Sequence, residues 1–243
     1  MNLLFLIIGL SLCVFSTIAF LVVRVKKGGL AGLFTKIIAS VCFIILAVFL
    51  SFSKNQISYH ASMPICLFII GLVLGLVGDI VLDQKVMYEF HDKQYLTCGM
   101  VCFSVAHLFN IGAILTLSHT QSDLKNYILP IGIILLVCLV LTLIIWLVSK
   151  KALKLDYGKH TLLANVYCFI LLLTTALSCY FTIVLKNYYM IVLAVGFIFF
   201  LISDLILSMQ YFGGKQNDKK LIVLNHTTYY LAQILIASFI YFI

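Results

Sequence analysis

Two acidic residues stand inside runs that are otherwise apolar. Asp79 closes the stretch from Gly71 to Leu82, and Asp204 sits in the stretch from Gly196 to Leu207. Both follow one pattern: a glycine, six residues, a small residue, the acid, two apolar residues and a leucine. A carboxylate in hydrocarbon costs at least about 2.5 kcal/mol, so each acid needs a cation, a water-filled cavity or a proton. Two neighbouring carboxylates do not ionise alike, which leaves one protonated acid beside one ionised base. Asp79 and Asp204 are therefore read as the two halves of one acid-base site. A structural ion pair with Lys36 is the competing reading.

Other polar residues fall on helical stripes. Gly71, Gly75 and Asp79 are four apart, as are Gly99, Phe103 and His107, with Asn110 one turn further. Asn225, Tyr229 and Gln233 form a third stripe. Glycines on such faces let backbones approach closely, which turns the polar residues into the bundle. Lys36, Tyr167, Ser203, His107, Asn110, Tyr229 and Gln233 are the candidates for binding or orienting a substrate. Asn165 is a weaker one. His226, beside Asn225, is read as interfacial, and His60, His91, His119 and His160 as solvated residues of connections. Tyr229 and Gln233 also suit plain interhelical bonding, and a lone buried histidine is often a packed core residue. The eight cysteines all lie in apolar runs and read as small core residues. No soluble-enzyme motif, dinucleotide fingerprint or Cys-x-x-Cys pair is present, so no cofactor and no resident metal are expected.

The elements that must carry these residues are membrane helices. The chain has 243 residues, of which 64% are hydrophobic and 10% charged. Its apolar runs give eight spans, at about 3–23, 34–52, 63–82, 95–117, 127–148, 161–185, 189–211 and 221–242. The fold class is all-α, one integral membrane domain over residues 1–243. The first run reads as a retained helix rather than a cleaved leader, because its basic residues follow it. Pro64 and Pro130 fall near span starts, where a missing N–H is tolerated. The repeated acid motif, four spans apart, is explained by a parallel duplication of a four-helix unit.

The net charge of +8 flanks the spans and does not signal nucleic acid. Thirteen of the 16 Lys and Arg residues lie in or beside the first, third, fifth and seventh connections; Lys54, Lys125 and Lys186 lie on the other side. The positive-inside rule then places both termini outside. The unusual side chains of six spans collect in one layer near the cytoplasmic face.

The ordered set Gly78-Asp79-x-x-Leu82, Gly99-x-x-x-Phe103-x-x-x-His107, Phe200-x-x-Ser203-Asp204-x-x-Leu207 and Tyr229-Tyr230-x-x-Gln233 resembles the YhhN-type membrane proteins, the lysoplasmalogenase family. Thr35-Lys36 is similar to that family's Lys-Pro element, with Ile37 in place of proline. The resemblance implies hydrolysis of the vinyl-ether bond of lysoplasmalogens in a bacterial cell membrane. The products are a fatty aldehyde and a glycerophospho-base, the partners are a lysophospholipid substrate and membrane lipid, and Lys36 and other basic residues hold the phosphate. Three rivals predict different things. A proton-coupled transporter needs a polar path through the outer half. A metal-dependent hydrolase using Asp79, Asp204, His107 and His226 loses activity to chelators. A lipid-binding scaffold tolerates loss of both acids.

Overall fold

The structure, a computed structural model, describes residues 2–52, 59–87, 92–121 and 124–243. Lys54 and His91 lie outside the described residues, as do the side chains of His60 and Lys85. Among the described residues eight α-helices follow in order: α1 Asn2–Lys26, α2 Gly29–Phe52, α3 Tyr59–Met87, α4 Asp92–Gln121, α5 Ile128–Lys151, α6 Thr161–Val184, α7 Met190–Phe212 and α8 Lys219–Phe239, with short 3-10 turns at 124–127, 158–160 and 240–242. Helices are what these runs must form, since each residue's N–H and C=O are satisfied within the segment and none is left to lipid. Several buried Ser and Thr hydroxyls are satisfied within their own helix too: Thr142, Thr174 and Ser118 each donate to the carbonyl four residues back. Gly28 and Gly29 take φ of 60° and 53°, which lets α1 reverse into α2 within two residues. Asp218 caps α8, accepting from the N–H groups of Lys220 and Leu221.

Each expected span lies within or close to one helix, and most helices run past the apolar window. Two consequences differ from expectation. Helix α3 begins at Tyr59, so Pro64 lies inside it rather than in its first turn. It also continues to Met87, which carries Asp83 into the bundle one turn after Asp79.

Among the described residues, seven helices are long and apolar enough to cross a membrane; α8 is the exception. It is more polar because it faces protein, packing against α1, α2, α3 and α7. Ser203 of α7 meets Asn225 of α8, while Gly196 meets Ala232 and Ile236, so α8 runs antiparallel along α7 through the same slab. Helix α5 is the opposite case. It packs chiefly on α6, and its only buried residues are Cys138, Thr142 and Ser149.

Neighbours repeat between the halves. Helices α1–α2, α2–α3 and α3–α4 pair in the first, and α5–α6, α6–α7 and α7–α8 in the second; α8 crosses to α2 as α4 crosses to α6. A parallel four-helix duplication that exchanges its last helices produces this pattern. The close approaches use the glycines. A Cβ on Gly78 would stand 2.9–3.1 Å from the Phe103 ring, whereas one on Gly75 would meet the far end of Gln233 at 3.1 Å. Gly78→Ala is therefore expected to destabilise by about 1–3 kcal/mol through forced repacking. Gly75→Ala should cost less, because Gln233 can swing; thermal midpoints of the two variants in one detergent check this ordering.

Candidate active site

Asp79 is the hub of a closed charge network at the basic end of the bundle. From the facing turns of α2 come Lys36, whose Nζ lies 3.1 Å from Asp79 Oδ1, and Ser40, whose hydroxyl donates to Oδ2 at 2.9 Å. From α8, Tyr229 donates to the same Oδ2 at 2.8 Å, and Gln233 donates to the Tyr229 oxygen at 3.0 Å. Lys36 also lies 3.2 Å from Asp83, which in turn accepts from both Arg24 Nη1 and Nη2, at 3.0 and 3.3 Å. Tyr230 donates to the Lys36 carbonyl at 3.1 Å and contacts Ser40 Oγ at the same distance. Two cations thus meet two carboxylates, and Lys36, Asp79 and Asp83 are all buried. Lys36, read both as a phosphate ligand and as the cation of an ion pair, lies within ion-pair distance of two carboxylates. A buried pair holds only when its remaining donors and acceptors are also met, as they are here.

Asp204 sits in a different setting. It is half-buried, accepts a hydrogen bond from Tyr167 of α6, and lines a cavity of about 810 Å³, counted with its mouth. The walls come from α3 to α7, with Leu82, Met100, Phe103, Trp146, Leu171 and Leu201 among them, and Asp204 is the only carboxyl group on them among the described residues. Asp79 does not line it. The two acids connect through rings: Tyr229, bonded to Asp79, packs edge-on against Phe103 and Phe200, and Phe103 forms part of the cavity wall.

The two acids have matched neighbours but differently filled surroundings. Asp79 of α3 takes bonds from α2 and α8, and Asp204 of α7 takes its bond from α6, with His107 of α4 against the same Tyr167. Four residues after each acid the halves diverge. Asp83 in α3 binds Lys36 and Arg24, whereas Ser208 in α7 lines the cavity. A small hydroxyl leaves room where a carboxylate recruited two long cations.

The remaining candidates separate. His107 is buried, lies 4.6 Å edge-on from the Phe200 ring, and has no hydrogen-bond partner on either nitrogen among the described residues; Asn110 Oδ1 is likewise without one. Ser203 turns away from the cavity into a reciprocal clasp with Asn225, whose amide donates to the Ser203 carbonyl at 2.7 Å. Asn165 donates to Thr161 within its own helix. His226, expected at the interface, is buried edge-on against Phe20. His160 contacts Thr97 Oγ1 at 3.3 Å, and His119 is exposed. Among the described residues, no three His, Cys, Asp or Glu side chains come together as a metal site.

Arg24, Ser40, Asp83 and Tyr230 join the network without being candidates on sequence grounds. Asp83 was legible as the residue four after Asp79 on the same face, and Ser40 as the residue four after Lys36. The site can exchange a proton at Asp204 with a molecule in an apolar cavity, while the Asp79 network holds the ring wall behind it. A family model described as the YhhN family matches residues 31–240. No curated protein and no solved structure matches the chain.

Proposed function

We propose that this chain, which belongs to the YhhN family, is an integral membrane hydrolase that cleaves the vinyl-ether bond of lysoplasmalogen-type lipids. The observation that carries this reading is a single carboxyl group, Asp204, bonded to Tyr167 on the wall of an otherwise largely apolar cavity. Vinyl ethers are cleaved by carbon protonation, and that requires a positioned acid in a dry site.

In this mechanism the Asp204 carboxyl gives its proton to the β-carbon of the vinyl ether. The C=C pair forms the new C–H bond, and the ether oxygen shares the resulting oxocarbenium charge. The Asp204 carboxylate, still bonded by Tyr167, then takes a proton from water as the water oxygen adds to the cationic carbon. The hemiacetal collapses to a fatty aldehyde and a glycerophospho-base, and Asp204 ends protonated, as it began. Phe103 lines the cavity, and an aromatic ring there stabilises a cation held close to it. His107, beside Tyr167 and Phe200, orients the water. Asp79 acts at one remove, fixing Tyr229, which packs edge-on against the Phe103 ring of the cavity wall and against Phe200. Twelve of the 16 Lys and Arg lie at the cavity end even with Lys36 left out of the count, so the positive-inside rule puts this end in the cytoplasm of a bacterial cell.

Purified protein in detergent, given a lysoplasmalogen and its matched ester lysolipid, is expected to release aldehyde from the vinyl ether and no fatty acid from the ester, with or without EDTA. Absence of aldehyde from folded protein overturns the reading, and loss of activity to EDTA replaces it with a metal-dependent one.

A further inference from the structure

Helix α5 contributes to a second hollow, formed with α6 by Ile133, Val137, Leu141, Leu172 and Ala176 among others. The same helix pair walls the Asp204 cavity through Ile145, Trp146 and Leu171. The two hollows lie on the seam of the same helix pair, Leu141 and Leu172 of the far one standing within about a turn of Ile145 and Leu171 of the Asp204 cavity. The seam exists because the residues that α5 buries are small: Cys138, Thr142 and Ser149. From Ile145 to Ile133 helix α5 rises about 18 Å at 1.5 Å per residue. The far hollow carries no charged side chain among the described residues; the single carboxyl group lies at the other end, at Asp204.

We infer that the α5–α6 seam binds one alkyl chain of a single-chain lipid, with the chain's polar end at Asp204 and its terminal methylenes in the far hollow, so that the hollow sets chain-length preference. A narrow apolar trough with one polar terminus matches an amphiphile with one tail and one head. The inference takes its head-group end from the proposed hydrolase reading, and its tail end from the seam alone.

Trp146, the only tryptophan, lines the cavity and reports occupancy directly. The full chain in nanodiscs would be titrated with saturated 1-O-alkyl lysophospholipids, dodecyl and octadecyl, brominated near the head. These lack the vinyl bond and are not turned over by the proposed chemistry. Quenching is expected to saturate, with octadecyl binding tighter than dodecyl. Val137→Phe and Ala176→Phe should weaken octadecyl binding about tenfold, the worth of about two methylenes kept out of the hollow. Dodecyl binding, whose shorter chain leaves most of the far hollow empty, should weaken less, and neither lipid should respond to Leu136→Phe on the exposed side of α5. Quenching that never saturates means bulk lipid only and overturns the proposal, as does equal weakening of both chain lengths. Chain-graded binding without aldehyde release from any vinyl ether sinks the hydrolase and leaves the seam standing. Aldehyde release that ignores chain length and both phenylalanines does the reverse.

Discussion

Asp204→Asn is expected to lower aldehyde release by about 10²–10⁴-fold, the usual worth of a positioned acid-base group, in protein that folds normally. The amide keeps the shape of the carboxyl group and still accepts from Tyr167, so the cavity wall survives. What is lost is the proton that must reach carbon, and nothing else described on the cavity wall is a carboxylic acid. Because the proton moves in the transition state, the loss should appear in kcat rather than KM. Tyr167→Phe removes the bond that aims the carboxyl group but not its proton, so its loss should be smaller. The contrast with Asp79→Asn is the sharper check. That change strips Lys36 of one carboxylate, so stability falls first, and activity per folded molecule should exceed that of Asp204→Asn. Equal kcat losses in the two folded variants would mean that both acids do chemistry.

The repeated motif shows why so much of the site was legible. Acid, small residue and glycine at matched spacing marked both carboxylates, helical stripes marked Tyr229, Gln233 and His107, and depth within its span marked Tyr167. Lys36 was read from both sides, as a phosphate ligand and as the cation of an ion pair; the structure has the pair. What the sequence hid was depth. Asp83 sits one residue past the apolar window of span 3, where hydropathy stops although the helix does not. Arg24 looked like an orientation charge because its long side chain returns into the bundle from the helix end. The difference between a sealed acid and an open one was hidden too: Ser208 stands four residues after its acid as Asp83 does after Asp79, but which long cations reach Asp83 depends on how α1 and α2 pack. Helix α8 shows the converse. Its polarity, weak as a membrane signal, follows from being enclosed by four helices.

Lys36→Met is expected to destabilise the protein by about 3–5 kcal/mol, the cost of leaving a buried charge without its partner. The methionine fills the space, but Asp79 and Asp83 are left with Arg24 alone, and Arg24 already bonds Asp83 with both terminal nitrogens. Adding Asp79→Asn should restore much of the loss. The double variant keeps the balanced Arg24–Asp83 pair, and the introduced amide still accepts from Ser40 and Tyr229. The two changes touch one contact, so a double-mutant cycle should return a large favourable coupling. Destabilisation that merely adds would show that Lys36 and Asp79 do not act as a pair. The same double variant decides what Asp79 is for. Beside Lys36 its charge is neutralised at 3.1 Å, so it lends little field to a cation forming at Asp204, and its remaining contribution is the bond that fixes Tyr229. The folded double variant is therefore expected to hydrolyse vinyl ethers at close to the unaltered kcat. Folded but inactive protein would instead assign the Asp79 charge to the reaction itself.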